Sequence, residues 1–112
     1  MMSVVYLKES LKRVDKKTLQ FTLVNRVDSG SADVGIKILL DGRDLTTRST
    51  LRRGSGEPRP VTPHMYITSI YGDEFLVTVE SDAPIEPGLH RIEVTCEIED
   101  FGTFSAKFEG TV

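Results

Sequence analysis

The sequence predicts an all-β protein: an antiparallel two-sheet β-sandwich, immunoglobulin-like, with seven to eight strands. Three observations carry this. From Phe75 onward, apolar and polar residues alternate with period two, as strands buried on one face require. Turn residues interrupt these runs every 8–12 positions. A chain of 112 residues suffices for a single core, so one domain spanning 1–112 is expected.

The first segment, Val4 to Val14, carries two signals. Val4, Val5, Tyr6 and Leu7 favour a strand, whereas Leu7, Leu11 and Val14 sit at helical spacing. The β-branched and aromatic start favours a strand bent near Glu9-Ser10. Asp15-Lys16-Lys17 reads as a turn, and Leu19, Phe21 and Leu23 mark a strand ending near Arg26. Asp28 to Asp33 is a loop by composition. Ile36, Ile38 and Leu40 then share one face of a strand that Asp41-Gly42 terminates, with Leu45 returning to the core.

Residues 46–63 stand apart. They hold four arginines, three prolines and two glycines, with Leu51 and Val61 as the strongly apolar residues. They are expected to form one long Arg/Pro/Gly loop, either solvated or ordered on a partner. The guanidinium fork suits partner recognition, because it pairs with carboxylates and phosphates at two points. The partner-binding candidates are therefore Arg48, Arg52, Arg53 and Arg59, with His64 and Tyr66 where the chain resumes a strand. Gly72-Asp73 reads as a two-residue hairpin turn into Phe75. Phe75, Val77 and Val79, then His90 to Ile98, then Phe104 to Val112 complete the strands.

Several function classes find no support. His64 and His90 lack carboxylate or cysteine neighbours at ligand spacing, so no metal site is read in this chain. Asp41-Gly42-Arg43-Asp44 lacks the oxygen ladder of a calcium loop. No nucleophile elbow, glycine-rich phosphate loop or buried carboxylate pair is present, and no catalytic residue is assigned. A single cysteine, Cys96, forbids an internal disulfide and reads as a small buried hydrophobe. The net charge is −3, but residues 1–63 carry 12 basic and 7 acidic groups, and residues 64–112 carry 2 and 10. The basic residues form no stripe interleaved with aromatics, which argues against nucleic acid. The charge split permits a charged partner or a homo-oligomer. No apolar run reaches membrane-spanning length and the first residues lack a signal-peptide pattern, so a cytoplasmic protein is expected.

Ile36 to Leu45, Phe75 to Val79 and Pro87 to Val94, in that order, resemble the small subunit of bacterial C-glycoside deglycosidases. The resemblance implies a β-sandwich that accompanies a larger barrel-type subunit. That subunit holds a divalent metal and the acid–base residues that cleave the carbon–carbon bond of 3-oxo C-glycosides. Asn25-Arg26-Val27-Asp28 stands where the family has an aromatic stretch, and no catalytic residue is carried over. The resemblance thus implies an accessory subunit without its own cofactor. The alternative is a stand-alone immunoglobulin-like binding or assembly module.

Overall fold

The structure, a computed structural model, describes all residues 1–112. The chain forms β1 (Ser3–Tyr6), β2 (Lys12–Asp15), β3 (Thr18–Arg26), β4 (Gly30–Leu40), β5 (Arg43–Asp44) and a 3₁₀ turn, Thr46–Arg48. It continues through β6 (Ser49–Arg53), β7 (Arg59–Pro60), β8 (Met65–Ser69), β9 (Glu74–Glu80), β10 (Leu89–Ile98) and β11 (Gly102–Thr111). No helix is long and apolar enough to cross a membrane.

Two antiparallel sheets result. The first has the order β1-β3-β9-β6-β7, with β2 extending β1 along the same neighbour, β3. The second has the order β11-β10-β4-β5, with β8 also paired to β4. This is the immunoglobulin arrangement, in which one sheet holds strands A, B, E and D and the other G, F, C and C′. With β1 and β2 taken as one interrupted strand, and the two-residue β5 and β7 set aside, eight strands remain.

The interruption sits where the sequence places a bend. Glu9 adopts φ +67°, in the left-handed region, and Tyr6 Oη accepts a hydrogen bond from the Leu11 amide at 3.1 Å. The five residues between β1 and β2 shift the register on β3, from Tyr6 opposite Leu23 to Lys12 opposite Gln20. Leu11 turns inward instead, and its side chain occupies the space beside Gly110. A Cβ at Gly110 would lie 2.5 Å from Leu11 Cδ2. Tyr6 stacks on Phe108 nearby, with ring centroids 3.7 Å apart, sealing the seam between β1 and β11.

Alternation sets the core. Leu19, Phe21 and Leu23 of β3, Val77 and Val79 of β9, Ile38 and Leu40 of β4, and Ile92, Val94 and Cys96 of β10 point between the sheets and are buried. Each fully buried residue of this kind stabilises the fold by roughly 1.5–3 kcal/mol. They belong to a single cluster of 17 buried residues, so the two sheets share one core.

Three expectations need correction. Asp28 to Asp33 is a loop only as far as Ser29, because Gly30 to Asp33 already pair with β8 as the start of β4. The 46–63 segment is not one long loop, because it contains the 3₁₀ turn, strand β6 and the short β7. Its two apolar residues explain this: Leu51 and Val61 are 7% and 4% exposed and pin the hairpin to the core, with Ser49 buried beside them. Gly72-Asp73 does not close a hairpin either. β8 pairs with β4 in one sheet and β9 with β3 and β6 in the other, so the turn carries the chain across the sandwich.

Candidate functional site

The predicted site residues separate in space. Arg53, Arg59 and Tyr66 come together on a groove of about 820 Å³, between the β6–β7 hairpin of one sheet and β8 of the other. β7 and β8 are the edge strands here, so the groove follows an unsealed seam of the sandwich. Arg59 spans it, its Nη1 donating to the Tyr66 carbonyl at 2.9 Å. The Tyr66 side chain stands free beside this bridge, with the residue 63% exposed.

Arg53 donates through Nε to Asp73 Oδ2 at 2.7 Å. The same carboxylate oxygen accepts from the Ile70 amide at 2.9 Å and from Ser69 Oγ at 3.1 Å. The Ile70 amide, with Arg53 and Ser69 behind it, outweighs the opposing effect of burial and holds the Asp73 carboxyl below its ordinary value. Arg53 is therefore already committed within the fold, although it still borders the groove.

The remaining candidates lie elsewhere. Arg48 reaches the opposite end of the sandwich, where its Nε donates to the Glu80 carbonyl at 3.1 Å and its Nη2 to Glu80 Oε1 at 3.3 Å. Arg52 pairs in register with Leu76 on the outer face of its sheet, and its Nε is buried without a hydrogen-bond partner. His64 is exposed, and its carbonyl accepts from Thr62 Oγ1 at 2.9 Å. The arginine cluster is thus a property of the sequence and not of one surface. Consecutive residues of a strand face opposite ways, which alone parts Arg52 from Arg53.

No group of three or more histidine, cysteine or carboxylate side chains is placed to hold a metal. One histidine meets a carboxylate: His90 Nδ1 lies 2.6 Å from Asp41 Oδ2, and its Nε2 lies 2.6 Å from the Glu86 carbonyl. Two oxygen acceptors favour the imidazolium, so the Asp41 hydrogen bond, then the Glu86 carbonyl, raise the His90 pKa in spite of burial. Burial pushes Asp41 up. The Arg91 amide, the His90 hydrogen bond and the neighbouring positive charges outweigh it, and the carboxyl stays below its ordinary value. This pair ties the β4–β5 turn to the start of β10. Both central turn residues, Asp41 at φ +50° and Gly42 at φ +83°, are left-handed as a type I′ hairpin demands.

A second feature was invisible in the sequence. At the end of the sandwich where β3 passes to β4 and β10 to β11, the sheets border an apolar cavity of about 270 Å³ that opens to solvent. Leu23, Val34, Ile36, Phe75, Cys96 and Ile98 line its floor and walls. Burial raises the Cys96 thiol to about 11, so it remains a neutral, unreactive lining group. Asn25 organises the rim: Nδ2 faces the Asp28 carbonyl and Ser69 Oγ at 2.9 Å and the Ile70 carbonyl at 3.1 Å, and Oδ1 accepts from the Val27 amide at 2.9 Å. The groove and the cavity share Leu51, Ile67 and Phe75 in their walls.

Fold and surface together define an immunoglobulin-like sandwich with a lateral groove and a hollow end. No family model and no curated protein matches the sequence. Among solved structures, the chain is similar to BslA, a bacterial hydrophobin, at 14% identity and a TM-score of 0.53. That match covers 98% of this chain and 92% of the other. It is also similar to the CARDB domain of a Pyrococcus furiosus protein in complex with di-metal ions, at 14% identity and a TM-score of 0.48, over 100% and 92% of the two chains. At such identities the likeness is one of fold alone.

Proposed function

We propose that the chain is a non-catalytic binding module that docks onto a larger protein through the groove between β7 and β8. One observation carries this reading. Arg59 bridges the two sheets at an open seam and presents the exposed Tyr66 beside it. Arginine and tyrosine are the residues that most often dominate binding energy at protein interfaces. Exposed edge strands beside them add main-chain groups for an incoming segment.

The resemblance to the small subunit of C-glycoside deglycosidases supplies the partner class to test first. That partner is a larger barrel-type, sugar-cleaving subunit, which would hold the divalent metal and the chemistry in a cytoplasmic complex. The present chain would then be an accessory subunit with no cofactor of its own.

The test is affinity capture of the tagged chain from its host, wild type beside Arg59→Ala/Tyr66→Ala, with mass spectrometry of what is retained. The wild type should retain one partner in stoichiometric amount and the double variant should lose it, while the melting temperature changes little. Retention of the same partner by the double variant would reject the groove. Capture of nothing but the chain itself would reject the accessory-subunit reading and favour a homo-oligomer.

A further inference from the structure

We infer that the cavity at the hollow end is a binding site for a medium-chain aliphatic molecule whose head group is not anionic. Protein interiors are filled to crystal-like density, and their voids rarely exceed a water molecule. Here about 270 Å³ lies among hydrocarbon side chains, and Ile36, Phe75 and Ile98 face inward yet remain only partly buried. Those three side chains have the size, the position and the alternation of core residues. They pack against the core on one side and face the open cavity on the other.

Size and shape narrow the occupant. An apolar cavity of ~150 Å³ stays dry and accepts benzene, so the present one accommodates a chain of about eight carbons. The space is a layer between two sheets packed about 10 Å apart, whose facing side chains fill most of that thickness. A flexible chain follows such a slot more readily than a fused ring system.

The rim chooses the head group. The exposed lining residues Asp28, Ser29, Gly30, Ser31 and Phe101 mark the mouth. Asn25, Ser29, Ser31 and Ser69 are neutral polar groups already hydrogen-bonded within the fold, and Asp28 is the one charged residue in the lining. No lysine or arginine contributes to it. The adjoining β10–β11 turn adds Glu99 and Asp100, with Asp33 hydrogen-bonded to Glu99 through its carbonyl. A carboxylate would meet acidic groups and no cation, whereas a hydroxyl or an ammonium would meet acceptors.

The site can be tested on the isolated chain, without any docking partner, although its walls share Leu51, Ile67 and Phe75 with the groove. The experiment is titration of the purified protein with 1-octanol, n-octylamine and octanoate, followed by methyl NMR shifts. Saturable shifts should appear for 1-octanol and octylamine on the methyls of Val34, Ile36 and Ile98, and not on those of Ile85 and Leu45 at the other end. Octanoate should bind at least about tenfold more weakly, because its charge gains no partner at the rim. Ala32→Leu, which adds carbon to the cavity wall from a half-buried position, should weaken octanol by a similar factor. Non-saturable or scattered shifts on the wild type would overturn the site, whatever the variant does. Octanoate binding as tightly as the amine would overturn the assignment of the head group.

Discussion

The two ends of the sandwich close by different means. At one end, the connection from β9 to β10 folds over the core and drives Ile85 into it, leaving that residue 4% exposed. Backbone ties fix the plug: the Ile85 amide donates to the Lys16 carbonyl and the Ser81 amide to that of Lys17, both at 2.7 Å. Four cationic or ionisable side chains converge on the same connection. Arg13 donates to the Ile85 carbonyl at 2.9 Å, Arg48 holds Glu80 and Ser81, Arg43 pairs with Asp82, and His90 bonds the Glu86 carbonyl. At the other end Val27 of the β3–β4 connection is buried too, but it lies outside the shared core cluster and lines the cavity without filling it. A polar hub on Asn25 holds the crossing segments together, but the space beneath them stays open. One end is thus closed by a buried plug and the other by a polar hub over open space.

The sharpest way to break this contrast is to truncate one inward isoleucine at each end. Ile85→Ala should cost about 3 kcal/mol, since it opens a cavity in a filled region. Ile98→Ala should cost clearly less, because its side chain already borders empty space. Urea denaturation of both variants checks the difference, and equal losses would mean that the ends are equally packed.

Next in size is the hub. Asn25→Ala leaves the Val27 amide without its partner and takes away the donor to Ser69 Oγ, which keeps its hydrogen bond to Asp73, and should cost about 2 kcal/mol. Hydrogen exchange should accelerate at Val27 and Gly72 and stay unchanged at Ile85. Acceleration at both ends would show that the two closures are not independent.

A smaller effect lies in pH. The folded His90 pKa is raised above its ordinary 6.5, so the imidazolium contributes fully below that value. Its contribution then fades as pH rises through the folded pKa. The stability advantage of the wild type over His90→Gln should therefore shrink across that window, by less than about 1 kcal/mol given solvent screening. Melting scans of both proteins on either side of the window measure it; an advantage that grows with pH would contradict the imidazolium. The smallest effect is expected for Arg43→Ala. The Arg43–Asp82 pair is about half exposed on both sides, and its loss should change stability by under about 0.5 kcal/mol in urea denaturation.

The sequence makes the sealed end more legible than the hollow one. Period-two alternation marks Phe21, Ile38, Val77 and Ile92 as inward-facing, and the Asp41-Gly42 turn can be read from its need for positive φ. Alternation says which side of a strand is wet, but not which sheet the strand joins. The Gly72-Asp73 turn therefore looks like a hairpin while crossing between sheets. It also fails to show how well inward side chains fill the space they meet, so the cavity beneath Ile98 leaves no trace in the pattern. β6 stays hidden because Ser49-Thr50-Leu51-Arg52-Arg53 offers one strongly apolar residue, whose partner Val61 is supplied by the far side of the hairpin. Of the six proposed binding residues, proximity in sequence groups all, and strand geometry keeps three on one groove.

The interrupted edge of the first sheet bears on how copies of this protein meet at high concentration. Unpaired strand edges are templates for strand-by-strand polymerisation, and length governs their potency. The left-handed Glu9 breaks one edge into two four-residue pieces. The opposite edge of that sheet, β7, is two residues long, and the β4 side of the second sheet is divided between β5 and β8. That leaves β11, ten residues without a break, as the longest edge, and Tyr6 and Leu11 pack against its Phe108–Gly110 end. A fibril or an edge-to-edge dimer of this chain would find its longest template along the rest of β11, and a proline where a β11 amide points away from β10 should weaken it.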